Sequence, residues 1–545
     1  MSLIDRILTA RGIGVDNRQA FLSPDYSSLH DPFLLPDMDK AVKRLIRAKK
    51  NKEKIVIYGD YDIDGLTAST LLVDAFNSLE YKNVEVFIPN RFVEGYGMTV
   101  DAVEKIASGG ANLIITVDCG SLSHVEIEKA NSLGVDVIVT DHHNVADVQP
   151  LAAAVINPKR SDSKYPFADL ASVGVAFKLV QAMQTKIEGL EIGQEKWLLD
   201  LVALGTVCDI VSLTDENRIL VHWGLKVLKQ TRRPGLVALM KVATVEREAI
   251  NARTLGFVLG PRMNAAGRLE TAQIALDMLL AGNENEALEH AQHLDDLNIQ
   301  RRIDQDKIFK EAIKQADKYK NDSVLVLSGV DWNHGIVGIV ASKILERYKK
   351  PAFVLQEIDD IAKGSARSYG NFSAADALKD SKEVITKGGG HKLAAGVTLP
   401  KENIETFRRV LNEYYHSLFN LRDEQRHLLP MEDLDAQLDE LTESEVISLD
   451  ILEPFGNGNK EPVIKSENLT VRNVRTMGAD GQHVKIELHD SAGHRMHFLA
   501  FNARSEFFVE TGTLVTAWYH PGINEWQGRR TVEGRLLHIE IVSQN

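Results

Sequence analysis

Five short apolar runs alternate with helical segments near the start of the chain, and this alternation constrains the fold more than any other feature. The runs are KIVIYGD (54–60), VEVFIP (84–89), NLIITVD (112–118), VDVIVTD (135–141) and AAVIN (153–157). Because they are apolar throughout, they suit strands that are buried on both faces. Intervening segments such as Leu66–Leu79 and His124–Leu133 have helical patterns. The order predicts βαβ units and a parallel sheet.

A second α/β pattern follows a long helical region. Within residues 170–320, the stretch Asn283–Tyr319 is too polar for a core helix and is predicted to run between two lobes. Apolar runs resume at SVLVLSG (323–329) and continue with PAFVLQE (351–357) and LAAGVTLP (393–400). From about residue 430, roughly five alternating strands with turn residues between them are typical of a small barrel such as an OB-fold.

These patterns predict an α/β fold followed by a C-terminal β-barrel. The two α/β domains would be joined by a long helix. The predicted segments are an N-terminal segment (1–50), a first α/β domain (51–220), a helical connector (221–320), a second α/β domain (321–425) and the barrel (426–545).

The composition is that of a globular protein, with 44% hydrophobic and 26% charged residues. No apolar run approaches the ~20 residues that span a bilayer, and MSLIDRILTARG lacks the apolar core of a secretory signal. We therefore expect a cytoplasmic protein without a membrane segment. The net charge of −14 argues against a broadly basic surface, but a phosphate-binding site needs only a local basic cluster.

Three aspartates follow the first apolar run. Asp60, Asp62 and Asp64 stand in YGDYDIDG at the carboxyl end of the predicted strand. Gly65 then lets the backbone turn tightly into the next helix. An EF-hand loop begins similarly, but it needs a preceding helix and a glutamate in its twelfth position, which here is Leu71. Like charges so close together favour a bound cation, and a solvated acidic turn is the alternative for this motif alone.

Acidic and imidazole side chains also follow other apolar runs. Asp118 ends NLIITVD, and Asp141 ends VDVIVTD directly before His142 and His143. Asp209 lies in the apolar stretch ALGTVCDIV. A single aspartate at a strand end is usually a helix cap, but several of them meet at one edge of a parallel sheet. Carboxylates with one or two histidines suit Mn²⁺ or Mg²⁺ better than zinc, and bridging carboxylates would hold two ions about 3.5–4 Å apart.

The same residues resemble a known family. GDYDIDG, VDCG, TDHH and GTVCD match, in order, the metal motifs of the DHH phosphoesterases, and KGGGHKLAAG (387–396) resembles the glycine-rich motif of the DHH-associated domain. GPRMNAAGR (260–268), WNHGIVG (332–338), SARS (365–368) and LEPFGNG (452–458) are similar to motifs of RecJ-like nucleases within this superfamily. The resemblance covers nearly the whole chain. Other branches have a histidine where this chain has Tyr58.

The resemblance implies a function as well as a fold. It implies a 5′→3′ exonuclease that hydrolyses single-stranded DNA to 5′-mononucleotides with two metal ions, in DNA repair and recombination. The implied cofactors are two Mn²⁺ ions, with Mg²⁺ as the alternative, and the implied substrate is single-stranded DNA with a 5′ end. The family further leads us to expect a monomer, with single-strand-binding protein and a RecQ-type helicase as partners.

The resemblance also assigns roles to individual residues. The implied metal ligands are Asp62, Asp64, Asp118, His142 and Asp209. Asp60 would be a supporting catalytic carboxylate, and His143 would contact the scissile phosphate or assist the leaving group. The implied substrate-binding residues are Arg91, Asn264, Arg268, Ser365, Arg367 and His391. Among these, Arg268, Ser365 and Arg367 would bind the 5′-terminal phosphate, which arginine can hold bidentately. Taken singly, a surface arginine in an ion pair stays the alternative.

Two other functions stay open from the sequence. A DHH phosphodiesterase for very short RNA or cyclic dinucleotides would share the metal motifs, but such proteins generally end after the two α/β lobes. Aromatic residues in the additional barrel could stack on bases, although strand alternation would place about half of them in its core. These residues are Phe498, Phe501, Trp518, Tyr519 and Trp526. A non-catalytic scaffold is the second alternative, and the intact ligand positions argue against it.

Overall fold

The computed structural model describes residues 1–91, 93–95, 97–418, 430–478 and 481–543. It divides into two units. The smaller unit comprises Met1–Pro24 and the described residues of 420–455 and 460–545, and the larger unit comprises the described residues of 25–419 together with Gly456–Asn459. The predicted boundary between residues 425 and 426 lies outside the described residues.

The first sheet belongs to the larger unit and is entirely parallel. Its strands are β1 (Ile55–Tyr58), β2 (Val84–Phe87), β3 (Leu113–Val117), β4 (Asp136–Thr140) and β5 (Ala154–Ile156), in the order β2-β1-β3-β4-β5. β1, β3 and β5 are buried throughout, as continuous apolar runs require, whereas the edge strand β2 is half-exposed. The predicted parallel sheet is confirmed.

The strand order reverses beside β1, and this reversal positions the site. From β1 the chain passes outward to β2 and then returns to the other side of β1 as β3. In doubly wound sheets, such a switch point leaves a crevice at the carboxyl ends of the strands. The segments that follow β1, β3 and β4 therefore meet at one edge of the sheet.

Helices pack around this sheet and form the largest hydrophobic core. The first two helices, α1 (Leu3–Ala10) and α2 (Val15–Leu22), belong to the smaller unit. The helices of the larger unit before residue 281 are α3 (Met38–Asn51), α4 (Ile63–Ser78), α5 (Val100–Ser108), α6 (His124–Ser132), α7 (Ser172–Gln184), α8 (Leu199–Cys208), α9 (Asp215–Leu228), α10 (Pro234–Val242), α11 (Ala252–Thr254), α12 (Gly260–Leu269) and α13 (Gln273–Leu280). A π-helical turn, Leu255–Leu259, leads from α11 into α12. None of the described helices is both long and apolar enough to cross a bilayer.

A single long helix, α14 (Glu284–Lys318), connects the two lobes of the larger unit. It packs against α10, α12 and α13 of the first lobe and then against the second lobe. A stripe that includes Leu294 and Ile308 is buried along it, while most of its surface is polar. The predicted connecting helix is therefore present, and its apolar stripe is narrow because only one face meets the lobes.

The second lobe has a mixed sheet in the order β6-β7-β8-β10-β9. Its elements are β6 (Leu325–Gly329), α15 (His334–Tyr348), β7 (Ala352–Ile358), β8 (Ile361–Arg367), α16 (Ala374–Asp380), β9 (Lys387–Gly390), β10 (Ala394–Pro400) and α17 (Ile404–Leu418). β6 and β7 are parallel, and the other neighbours are antiparallel. The glycine-rich run forms β9, an exposed edge strand.

The smaller unit contains the predicted barrel. Its elements are β11 (Leu434–Asp435), α18 (Glu443–Ser448), β12 (Ile464–Met477), β13 (His483–His489), β14 (Arg495–Ala500), β15 (Leu514–Trp526) and β16 (Arg529–Ser543), and β12 pairs with β15 to close the sheet. Helix α1 contributes Leu3, Ile7 and Leu8 to the barrel core. Of the five aromatic candidates, Phe498, Trp518 and Tyr519 are buried, whereas Phe501 and Trp526 are exposed.

Candidate metal centre and phosphate pocket

The first acidic segment is bent tightly between β1 and α4. Asp62 caps α4, where its Oδ1 accepts a hydrogen bond from the Gly65 backbone N–H at 3.1 Å. Gly65 is required by close approach, since a Cβ there would lie 2.6 Å from the backbone nitrogen and oxygen of Asp60. Asp118, which follows β3, has a φ of +64°, a conformation that aspartate tolerates better than most residues. The turn geometry thus places these carboxylates at the switch point.

The predicted ligands converge into one cluster. Three groups of potential ligand atoms each lie within 4.8 Å of one another. The groups are Asp60, Asp62 and Asp118; Asp118, His142 and His143; and Asp64, His142 and Asp209. Because Asp118 and His142 each belong to two groups, the three groups adjoin one another. The structure brings the predicted residues together, and their roles as ligands stay predictions.

The atoms of this cluster fit a divalent cation. His142 Nε2 lies 3.5 Å from Asp118 Oδ1 and 3.4 Å from Asp209 Oδ2. These atoms are near one another, but His142 Nε2 makes no hydrogen bond to either carboxylate. Across the described ranges, Asp60 Oδ1 and Asp209 Oδ2 are also buried without a hydrogen-bond donor. Burying a charged oxygen is costly unless a donor or cation compensates it. A carboxylate-rich set with an imidazole nitrogen suits Mn²⁺ or Mg²⁺.

Burial and mutual repulsion shift the pKa values of this cluster. Burial and the charges of neighbouring carboxylates raise the pKa of Asp209 to about 9 and that of Asp64 to about 7. The same causes raise the pKa of Asp118 well above its ordinary value. Burial, followed by the positive charge of His143, lowers the pKa of His142 to about 3. His142 is therefore neutral, which is the form that ligates a metal.

A helix N-terminus supports the buried carboxylates. The backbone N–H groups of Ser172 and Val173, at the start of α7, donate to Asp64 Oδ2 and Oδ1 at 2.6 and 2.8 Å. The Ser172 hydroxyl donates to Asp118 Oδ1 at 2.9 Å. Sequence reasoning missed Ser172. A serine at the start of an apolar helix signals only a helix N-terminus, and its carboxylate partners lie far away along the chain.

Asp141 orients the two histidines that follow it. Its Oδ1 lies 2.9 Å from His143 Nδ1 and accepts the backbone N–H of His142 at 2.8 Å. Its Oδ2 accepts the backbone N–H of Ser121. Burial opposes ionisation of Asp141, yet these bonds and the charge of His143 hold its pKa well below the ordinary value. The sequence marked Asp141 as part of a motif, and the structure adds this orienting contact.

A second cluster, rich in arginine, lies at the junction with the second lobe. Arg268, on α12, donates from Nη1 to the Gly335 carbonyl oxygen at 2.8 Å, in the first turn of α15. Ser365 and Arg367 project from β8 towards the same end of α15, since a Cβ on Gly338 would lie 3.3 Å from Ser365 Oγ and 3.2 Å from Arg367 Nη2. The three residues predicted to bind a terminal phosphate therefore converge.

The charges in this second cluster repel one another. Burial lowers the pKa of Arg268 to about 10, and the charges of Arg91, Arg301 and Arg367 contribute to the shift. Arg301, which the sequence did not indicate, comes from the connecting helix α14. Burial and the charge of Asp62 raise the pKa of Asp60 well above its ordinary value, and the charge of Arg91 opposes this shift, so Arg91 influences both clusters. Converging guanidinium groups are typical of an anion site.

Three further positions that the sequence singled out are Asn264, His391 and Tyr58. Asn264 is half-buried on α12, and the His391 side chain is exposed just after β9. Their predicted contacts to substrate stay predictions. Tyr58, where other branches have histidine, is a core residue: its ring stacks on Phe87 and its hydroxyl donates to the Gly97 carbonyl oxygen at 3.0 Å.

Family models match most of the larger unit and the barrel. Residues 54–206 match the DHH family, N-terminal domain, residues 321–417 match the DHHA1 domain, and residues 432–538 match the RecJ OB domain. The three matches follow the two α/β lobes and the barrel in order.

Similar full-length proteins agree with these matches. The single-stranded-DNA-specific exonuclease RecJ of Haemophilus influenzae is 33% identical over 565 residues, covering 99% of this chain and 96% of the relative. The Bacillus subtilis protein of the same name is 36% identical over 535 residues, covering 97% of this chain but 66% of the relative. This chain thus spans slightly less than two thirds of the Bacillus relative.

Solved structures of RecJ from Thermus thermophilus share the fold. The complexes with Mn²⁺ and Mg²⁺ give TM-scores of 0.81 and 0.76 at 28% and 26% identity. They cover 98% of this chain and 75% and 74% of the Thermus chains, respectively. The fold class predicted from the sequence is confirmed. From the domain matches and the relatives together, this chain belongs to the RecJ family of DHH phosphoesterases.

Proposed function

We propose that this chain is a metal-dependent exonuclease that hydrolyses single-stranded DNA from the 5′ end and releases 5′-mononucleotides. The observation that carries the proposal is the pairing of a carboxylate–histidine cluster with an arginine cluster in one unit, with the charge of Arg91 acting on both. The names of the Haemophilus and Bacillus relatives support single-stranded DNA as the substrate. DNA repair and recombination is the proposed setting.

The metal centre would hold two Mn²⁺ ions, with Mg²⁺ as the alternative. The residues that would hold them are Asp62, Asp64, Asp118, His142 and Asp209, with Asp60 as a supporting carboxylate beside them. When bound, divalent cations supply Lewis acidity, which lowers the pKa of water and neutralises charge on the phosphate. The chain's own contribution is to hold its carboxylates close together and in a fixed orientation, with Ser172 and the start of α7 fixing Asp64 and Asp118.

His143 would act beside the scissile phosphate. Its Nδ1 is bound by Asp141, so Nε2 is the ring nitrogen that would face the substrate. Burial acts to lower the pKa of His143, but the hydrogen bond and charge of Asp141 outweigh burial and raise it. A positively charged imidazole stabilises the negative charge that develops during phosphoryl transfer and can donate a proton to the leaving oxygen.

The arginine cluster would determine which end is degraded. A terminal phosphate carries more negative charge than an internal phosphodiester, so a site with Arg268, Arg367 and the Ser365 hydroxyl favours the terminal group. Asn264, Arg91 and His391 would contact the nucleotides nearby. With the 5′ phosphate bound at a fixed distance from the metal centre, the first phosphodiester would be presented for cleavage.

The proposal also covers the barrel, the protein partners and the division into domains. The barrel would bind single-stranded DNA, with the exposed Phe501 and Trp526 available for stacking. We also propose a cytoplasmic monomer, with single-strand-binding protein and a RecQ-type helicase as partners. The proposed division is a catalytic DHH domain (51–220), a connector (221–320), a DHH-associated substrate domain (321–425) and the OB-fold domain (426–545), after a 1–50 segment.

The direct test uses Mn²⁺ and single-stranded DNA labelled at the 3′ end, with either 5′-phosphate or 5′-hydroxyl termini. We expect mononucleotides to be released from the 5′ end, a matched duplex to resist, and Asp118→Ala to abolish release. Cleavage of dinucleotides with intact DNA would favour the small-substrate phosphodiesterase instead. Binding without any cleavage would favour the scaffold.

The arginine cluster has a separate test. Arg367→Ala should reduce the preference for a 5′-phosphate over a 5′-hydroxyl terminus by about tenfold or more, since one charge-assisted contact of about 1.5–3 kcal/mol is lost. Arg347→Ala, which removes an exposed arginine elsewhere in the same lobe, is the matched control. An unchanged preference in Arg367→Ala would remove this cluster from the proposal.

A further inference from the structure

The backbone is strained directly after one of the proposed ligands. Helix α8 ends at Cys208, Asp209 caps it, and Ile210 follows with a φ of +63°. A β-branched residue rarely adopts this left-handed conformation, because its side chain crowds the backbone. The Ile210 side chain is 71% exposed, so packing of that side chain does not hold the conformation in place. Some other contact must therefore stabilise the turn.

That contact comes from Asn457, far away in the sequence. Its side-chain amide donates from Nδ2 to the Ile210 carbonyl oxygen at 3.0 Å. Its own carbonyl oxygen accepts the Leu213 backbone N–H at 2.7 Å. Asn457 thus binds the backbone at both ends of the segment 210–213, and one of these ends is the strained residue Ile210.

The shape of the Asn457 loop is also specific. Gly458 has a φ of +73°, and a Cβ there would lie 2.3 Å from Ser212 Oγ. Glycine at this position allows the positive φ and leaves room for the loop beside the segment 210–213. Gly456–Asn459 belongs to the larger unit, whereas the chain on either side belongs to the smaller one.

We propose that Asn457 is a positioning residue for Asp209. By holding the strained turn at Ile210, it keeps the end of α8 in the orientation that places Asp209 Oδ2 3.4 Å from His142 Nε2. Without it, Ile210 relaxes towards ordinary φ values and the Asp209 carboxylate leaves the cluster. This inference rests on the proposed metal-binding function of Asp209.

The inference is tested by the affinity of the full chain for Mn²⁺ in the absence of DNA. The electron paramagnetic resonance signal of free Mn²⁺ measures this affinity. Asn457→Ala should weaken Mn²⁺ binding by about tenfold, the lower range for losing an outer contact to a ligand. Asn131→Ala is the matched control, because Asn131 Nδ2 makes a similar bond, 2.8 Å long, to the Leu151 carbonyl oxygen in an exposed place. It should bind Mn²⁺ like the unaltered protein.

A rescue variant separates strain from general damage. Glycine adopts positive φ without strain, so adding Ile210→Gly to Asn457→Ala should restore most of the lost affinity. Unchanged Mn²⁺ binding in Asn457→Ala, or no recovery in a folded double variant, would overturn the inference. Asp209→Ala separates the two proposals. If Asp209→Ala binds Mn²⁺ normally, the proposed metal role of Asp209 is wrong. If Asp209→Ala loses Mn²⁺ binding while Asn457→Ala binds normally, only the positioning role of Asn457 is rejected.

Discussion

His143 Nδ1 lies 2.9 Å from Asp141 Oδ1, and the same carboxylate oxygen accepts the backbone N–H groups of His142 and His143. One buried carboxylate therefore fixes both the ring and the backbone of the histidine pair. His142 is a proposed metal ligand, while His143 is proposed to contact the scissile phosphate. The two roles are coupled through Asp141, which contributes no atom to the three ligand groups found in the described residues.

Asp141→Asn should lower kcat by about 10- to 100-fold. The hydrogen bond and charge of Asp141 raise the pKa of His143, so their loss should lower it. If activity requires protonated His143, activity will then be lost at a lower pH than in the unaltered protein. The measurement is kcat against pH at saturating Mn²⁺. A proportional loss of kcat at every pH would contradict this coupling.

Ser172→Ala should weaken Mn²⁺ binding by about tenfold, because the hydroxyl that donates to Asp118 Oδ1 is removed. The backbone N–H groups that support Asp64 remain, so the loss should be partial. Ser381→Ala is a matched control: Ser381 is also buried, and its hydroxyl donates to the Ala377 carbonyl oxygen at 2.8 Å. Calorimetric titration with Mn²⁺ compares the two variants. Equal affinities would show that the hydroxyl has no influence on the centre.

The benefit of metal to stability should grow with pH. The pKa of Asp209 is raised from 3.8 to about 9 and that of Asp64 from 3.8 to about 7 in the metal-free fold. The folded state therefore binds more protons than the unfolded chain, so the metal-free protein loses stability as the pH rises from about 4 towards 9. Mn²⁺ removes this repulsion. The increase in Tm caused by Mn²⁺ should be larger at about pH 8.5 than at about pH 5.5, as thermal unfolding would show.

Lys178→Met should destabilise the larger unit by about 3 kcal/mol, because it leaves a buried carboxylate without its cation. Lys178 and Glu216 have fully buried side chains, and Nζ lies 2.5 Å from Oε1. Glu216 keeps donors from Tyr165 and the His30 backbone, which limits the loss. Adding Glu216→Gln should recover part of the stability in urea unfolding. A single variant as stable as the unaltered protein would contradict a paired buried charge.

The parallel sheet and the ligand positions were predictable because one physical pattern marks both. Buried strands are apolar throughout, and a polar residue directly after such a run, such as Asp118, stands out. β8 and β9 were not predicted as strands. Residues 361–367 are partly exposed and contain polar residues and glycine, and the run 387–390 has low intrinsic strand propensity. Pairing with β10 determines their structure instead.

The contacts that orient the ligands could not be predicted from the sequence. Ser172 and Asp118 are 54 positions apart, and Asn457 and Ile210 are 247 apart. No periodicity connects such pairs, because they form only after the elements pack. The N-terminal segment behaves similarly: residues 1–50 carried no interpretable pattern, and only the structure assigns Leu3 and Ile7 to the barrel core.

The proposed ligands come from separate stretches that follow β1, β3, β4 and α8. Ions bound between these stretches would therefore act as a reversible cross-link, closing several long loops of the chain in one place. Loop-closure entropy grows only slowly with loop length, so long loops can be closed this way at modest entropic cost. On this view, metal supply determines how many non-covalent cross-links hold the separate stretches of the first lobe together. Backbone amides throughout β1, β3 and β4 should then exchange with solvent more slowly once the ion is bound.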